Sequence, residues 1–288
     1  MSVTPRIRAV QSLWAMEDLP LGQQEWDLVT QIRALEDAGY DAVAVDMGAR
    51  KAPAAADLAT ALADSPLARV VFTFAGSDAE IDAALDVAET IGATEAVLCA
   101  RTYTQDVAEG ADLISGWHAR AAARGVELQL ETHRNTLTND LRFTRRLVDE
   151  LDPAVGLAID LSHYIVGAEI PAEPGEEIEA QVAGILTRAA SVQGRIASRC
   201  QVQLPLHFPS TEEWSALARR WWRQAFASIL SRTPDAEHVT FVTELGTTPY
   251  ALTDAAGAEL SDRWQEAQTL RAWAADELAA AHAAVSSR

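Results

Sequence analysis

The sequence predicts an α/β fold, the (β/α)8 TIM barrel, in which a parallel eight-stranded sheet closes inside an outer helix ring. Three observations carry this. Short apolar runs alternate with amphipathic helical stretches eight times within 288 residues, and strict alternation requires a parallel sheet. A chain of this length matches a barrel, which typically takes about 250 residues. The run after the first strand, SLWAMEDLP, lacks the glycine-rich phosphate loop that a doubly wound sheet usually places there.

The expected strands are 7–13, 42–46, 69–74, 95–100, 126–131, 155–160, 191–197 and 238–244. Each is short and either β-branched-rich or alternating. Helical stretches fall near 23–38, 54–64, 78–91, 107–124, 139–151, 176–189, 211–231 and 259–284. Ser77 with Glu80, and Ser210 with Glu213, fit capping boxes. Trp214, Leu217, Ala218, Trp221, Ala225 and Ile229 form one helical stripe, so Trp221 and Trp222 are expected in helix packing. Gly39, Gly92 and Gly125 follow helices where a left-handed cap favours glycine. No linker or low-complexity tract divides the chain, and PAEPGEE (171–177) reads as a loop inside one βα unit, so residues 1–288 are expected to form one domain.

Several function classes are disfavoured. The formal net charge of −19 repels phosphate backbones and anionic lipid, which argues against nucleic-acid and membrane partners. No apolar run reaches the roughly 18 residues of a membrane span. The start, MSVTPRIRAV, lacks the apolar stretch and cleavage site of a signal peptide. Cys99 and Cys200 form no CxxC and are expected to be reduced, which fits a cytoplasmic location. Neither has an obvious histidine partner, which argues against thiol nucleophilic catalysis. No GxSxG or HExxH occurs, and Lys51, the only lysine, is the one residue able to form a Schiff base.

Barrel enzymes place their chemistry at the C-terminal ends of strands. There the sequence puts Glu131 with His133, Asp160 with His163, Gln193 with Arg195, and Glu244. Strand parity supports inward aim: Asp160 shares a face with Ala158 and Gly156, while Leu128 and Leu130 take the face opposite Glu131. A carboxylate at one strand end is ordinarily a solvated loop residue. Three on strands five, six and eight form a pattern, and their mutual repulsion calls for a cation. Oxygen ligands with at most one amide favour Mg2+ or Mn2+ over zinc. Each neighbour has a plainer reading: His133 and His163 as loop hydrogen bonders, Arg195 as an ion-pair partner, Gln193 as an inward polar residue. Trp14 and Tyr103 follow strands one and four and are candidates to wall the site. The last loop, LGTTPYALTD, has one glycine and no basic residue, which favours a non-phosphorylated substrate.

The segments LQLETHRNTLTND (128–140), GLAIDLSHYIVGAE (156–169), VQGRIAS with QVQLP (192–205) and FVTELGTTPYALTD (241–254) carry a resemblance. They are similar to the late-strand motifs of the xylose-isomerase-like TIM barrel superfamily, which includes sugar phosphate isomerases and epimerases, and the resemblance covers most of the chain. It implies a divalent metal, Mn2+ or Mg2+, held by Glu131, Asp160, Gln193 and Glu244. Gln193 stands where histidine is usual. The resemblance also implies Glu131 and Glu244 as the acid–base pair, with His163 and Arg195 contacting substrate. His133, Trp14, Tyr103 and Tyr250 complete the expected substrate contacts, and Glu169 falls within a matching motif. Relatives are often dimers or tetramers, so a homodimer is an open option.

Three functions are compatible with these residues. One is a metal-dependent isomerase or epimerase that removes a proton beside a carbonyl of a small sugar, keto-sugar or cyclitol. Another is a dehydratase or lyase sharing that first step. The third is a metal-free barrel with a binding role. The DNA-repair branch of the superfamily fits poorly, because it needs more histidines and a basic face than six histidines and −19 provide.

Overall fold

The computed structural model describes residues 4–287, so the first three residues of the N-terminal stretch lie outside the described residues. Eight strands, β1 (Arg6–Ser12), β2 (Ala42–Asp46), β3 (Ala68–Ala75), β4 (Glu95–Ala100), β5 (Glu127–Glu131), β6 (Leu157–Ile159), β7 (Ala189–Gly194) and β8 (His238–Thr243), are all parallel and close in sequence order. Helices α1 (Leu28–Asp37), α2 (Ala55–Ala61), α3 (Asp78–Ile91), α4 (Val107–Ala123), α5 (Leu141–Glu150), α6 (Ser162–Gly167), α7 (Glu176–Leu186), α8 (Glu212–Arg232) and α9 (Arg263–Ser286) accompany them. Among the described residues no helix is long and apolar enough to cross a membrane.

Local chemistry explains where several helices start. Asp27, Ser77, Asp106, Asp140 and Asp262 each accept a backbone N–H of the first turn, satisfying donors that have no intrahelical partner. Glu80 completes the α3 cap by accepting the N–H of Gly76 at 2.8 Å. The second expected capping box does not form. A short 3-10 turn, Pro209–Thr211, absorbs Ser210, and α8 starts from Thr211 with no side-chain cap. Gly39, Gly92 and Gly125 do take left-handed φ values of 69°, 70° and 73°.

Two boundaries matter for function. β7 ends at Gly194, not residue 197, so Arg195 is the first residue past the strand. The segment after Asp160 winds at once into α6, which carries His163 in its first turn; periodicity did not reveal so short a helix.

Side chains sort by strand parity. One face packs against the helix ring, forming the large outer core. The other fills the lumen with Val10, Ala42, Ala44, Val70, Phe72, Val97, Ala158 and Val242. The N-terminal end of the lumen is polar: Arg8 pairs with Glu95 at 2.8 Å, and Ser191 donates to Gln129 at 2.6 Å. The other end carries the site.

Arg263 ties the first and last βα loops together. Its guanidinium is buried and donates to the carbonyls of Ala15, Glu17 and Leu245, and it pairs with Glu259 at 2.5 Å.

Candidate functional site

At the C-terminal mouth, a cavity of about 170 Å3 is lined by Trp14, Asp46, Phe74, Glu131, Arg195 and Glu244, among others. Typical ligand pockets run from about 300 to 1,000 Å3, so this one suits a small molecule.

The β5 arm is fixed by threonines. Thr138 Oγ1 donates to the Glu131 carbonyl at 2.6 Å and accepts the His133 N–H at 3.0 Å. Thr132 Oγ1 accepts the Asp160 N–H at 2.8 Å and donates to the Asp160 carbonyl at 3.0 Å, joining β5 to β6. Asp160 Oδ1 takes the Ser162 N–H at 2.8 Å. Its other oxygen faces His163 Nε2 at 3.5 Å and Arg195 Nη2 at 3.4 Å. Arg195 also reaches Glu244 Oε2 at 2.7 Å. The Arg195 guanidinium lies 4.8 Å from the Tyr250 ring centre and 5.7 Å from that of Trp14, an aromatic cover for a buried cation. Trp14 packs edge-on to Tyr250 and leans on Gly246, where a Cβ would come within 2.1 Å of the indole.

Burial sets the protonation states. The Glu131 carboxyl is pushed well above its usual range by desolvation, then by the charges of Glu244 and Asp160. Glu244 rises to about 7 by desolvation, held back by Arg195 and pushed on by Asp160 and Asp46. His163 is driven well below its usual value by desolvation and the nearby His133 and Arg195, and desolvation brings His133 to about 4. Both imidazoles are therefore neutral at pH 7. Their ring centres lie 3.9 Å apart, with the planes tilted by 48°.

The residues fit a hard cation. Glu131 Oε1, Asp160 Oδ2 and both ends of the Gln193 amide are buried without a hydrogen-bond partner. Stranded buried acceptors are costly, and a divalent ion would satisfy the free oxygens of Glu131, Asp160 and Gln193. Ligand atoms of Glu131, Asp160 and His163 all lie within 4.8 Å of one another. Three carboxylates face a single guanidinium, so the charge balance also has room for a dication.

The structure therefore gathers Glu131, Asp160, His163, Gln193, Arg195 and Glu244, with His133, Trp14 and Tyr250 on the wall. It does not bring Tyr103 there: that ring is 61% exposed and borders a separate groove of about 300 Å3 beside Asn135. Glu169 is exposed beyond α6. Two residues were overlooked. Asp46 ends β2 at the cavity, with Oδ1 held by the Gly48 N–H at 2.7 Å and its pKa raised by burial to about 6. The same signal that marked the other acids, a carboxylate closing an apolar strand, was present in AVAVD. Cys99 is the second: its thiol donates to Glu131 Oε2 at 3.1 Å, and His133 lies close by. The histidine partner missing from its sequence neighbourhood is supplied across β4 and β5.

No family model and no curated protein matches the chain. Solved structures do. An L-ribulose 3-epimerase superposes with a TM-score of 0.61 at 15% identity, covering 98% of this chain and 97% of that one. A D-allulose 3-epimerase from Methylomonas sp. gives 0.59 at 15% identity, covering 98% and 100%. A xylose isomerase-like TIM barrel protein from Mycobacterium smegmatis, in complex with magnesium, gives 0.59 at 17% identity, covering 97% and 98%. At these identities the likeness shows the fold alone, a closed parallel (β/α)8 barrel shared with these proteins.

Proposed function

We propose that this barrel is an isomerase or epimerase that removes and returns a proton at the carbon beside a carbonyl of a small sugar, keto-sugar or cyclitol. The observation that carries the reading is the pair Glu131 and Glu244. Both are buried at one small cavity, both have raised pKa values, and each has one oxygen occupied: Glu131 Oε2 by Cys99, Glu244 Oε2 by Arg195. That leaves one oxygen of each to exchange a proton with substrate. A carboxyl tuned to about 7 is suited to give and take protons near neutrality. The fold neighbours L-ribulose 3-epimerase and D-allulose 3-epimerase support the substrate class.

A Mg2+ or Mn2+ ion would be held by Glu131, Asp160, Gln193 and Glu244. Bound there it would polarise a carbonyl and stabilise negative charge on its oxygen. Arg195, covered by Trp14 and Tyr250, orients substrate oxygens from the mouth, and the neutral His163 presents an uncharged imidazole beside Asp160. The chain would form one catalytic domain acting on a small molecule, with a homodimer an open option.

Loss of water from the same intermediate is the second reading, favoured by the likeness to a probable 3-DHS dehydratase from Bacillus anthracis, at a TM-score of 0.52 and 13% identity. Incubation with ketoses and keto-inositols in D2O tests both. Deuterium entering at the carbon beside the carbonyl, at otherwise unchanged composition, supports the isomerase. A product lighter by one water supports the dehydratase. If Glu131→Gln and Glu244→Gln exchange deuterium as fast as the parent, the acid–base assignment is wrong.

A further inference from the structure

We infer that the barrel holds a second, sulfur-containing metal site made by Cys99, Glu131 and His133, beside the carboxylate site and sharing Glu131 with it. One ligand atom from each of these three residues lies within 4.8 Å of the other two, the same spacing found for Glu131, Asp160 and His163. Glu131 belongs to both sets, and its two oxygens behave differently. Oε2 receives the Cys99 thiol at 3.1 Å, while Oε1 is buried with no partner. A carboxylate so placed can give one oxygen to each of two ions.

A buried cysteine is ordinarily a small apolar filler. Cys99 departs from that role, since β4 turns it into the lumen beside Phe74 on β3 and its thiol meets a carboxylate. His133 is arranged as a ligand. Its Nδ1 engages its neighbour's carbonyl, Arg134 O, at 2.5 Å, which leaves Nε2 with the free lone pair. A backbone acceptor on the far nitrogen is the usual way a ligating imidazole is oriented. Phe74 packs edge-on against the same ring at 5.3 Å and limits its rotation.

Sulfur, imidazole and one carboxylate oxygen select a borderline ion such as Zn2+ or Co2+ over Mg2+. Three protein ligands leave a fourth position open. Cys99, Glu131 and His133 all line the cavity, so that position faces the space where substrate is proposed to bind. The inference shares Glu131 with the proposed function: an ion on each oxygen leaves that carboxylate none to exchange a proton, so a doubly loaded Glu131 and proton transfer at Glu131 are alternatives, and the two readings fail separately.

The test is a Co2+ titration of the chelator-treated full-length protein, following the sulfur-to-cobalt charge-transfer band in the near ultraviolet. The expected result is a band that saturates, disappears in Cys99→Ser, and persists in Cys200→Ser and Asp160→Asn. His133→Ala should weaken Zn2+ binding by about tenfold or more while leaving Mg2+ uptake unchanged. No band in the parent, or a band that survives Cys99→Ser, overturns the site. A band lost in Asp160→Asn would mean one shared ion rather than two, which also overturns it. Failure of Mg2+ or Mn2+ to bind, with the band intact, would sink the carboxylate site alone.

Discussion

Arg195 donates to Glu244 Oε2 at 2.7 Å and stands 3.4 Å from Asp160, so one guanidinium serves two buried carboxylates. All three side chains are nearly closed to solvent. Burial opposes the charge on Arg195, yet Asp160 and Glu244 hold it firmly protonated.

Replacing Arg195 by Met strands those two carboxylates. Removing one partner of a buried ion pair typically costs about 3–5 kcal/mol. The loss should shrink as acid lets Glu244, whose pKa is already raised to about 7, take up its proton. Added Mn2+ should restore part of it. Denaturant melts of parent and variant across pH, with and without the ion, check this.

Glu131→Gln and Glu244→Gln should each lower turnover about 100- to 10,000-fold, the range for losing a positioned acid or base. Glu131→Gln should cost little stability, because burial pushes the parent carboxyl toward its neutral form, which the amide resembles. Steady-state kinetics beside thermal melts separate the two effects. A variant that loses activity and also unfolds would speak for a structural role.

Binding of Mg2+ or Mn2+ at pH 7 should release protons, since Glu131 and Glu244 are both raised and must ionise to ligate. Calorimetry in buffers of different ionisation enthalpy counts them. Heats that do not depend on the buffer would contradict the carboxylate set. In Gln193→His, affinity for Co2+ or Ni2+ should rise relative to Mg2+ by about tenfold, because imidazole suits those ions better than an amide oxygen.

Asp46 gives a pH signature of its own. Its pKa rises from 3.8 to about 6 on burial, so the folded state holds the proton more tightly than the unfolded chain. The stability it contributes is complete below the unfolded value and is lost as pH rises through about 6. Relative to the parent, Asp46→Asn should gain stability between pH 4 and 6, on the order of 1 kcal/mol, and level off above that. A difference that stays constant with pH would rule out the shift.

The strand sequence made much of this readable. β2 and β4 fall where their β-branched runs predict, and Glu131, Asp160 and Glu244 were marked by one feature, a carboxylate ending an apolar strand. Asp46 carries that feature too, but on an early strand, outside the late-strand pattern that groups the other three. Other relations depend on closure. Cys99 meets Glu131 and His133 only through the β4–β5 register, and the Arg195 contacts need β6, β7 and β8 side by side. Tyr103 shows the limit of position along the chain: it follows a barrel strand, yet its loop carries the ring outward to solvent.

The Arg263 clamp has a consequence for biosynthesis. Trp14 is made well before Tyr250 and Gly246, the residues it meets. Until β8 has left the ribosome, β1 lacks one neighbour and the indole has nothing to lean on. A nascent chain that stalls late therefore exposes a lumen with part of its acids assembled and no roof, a species for chaperones or proteases to find.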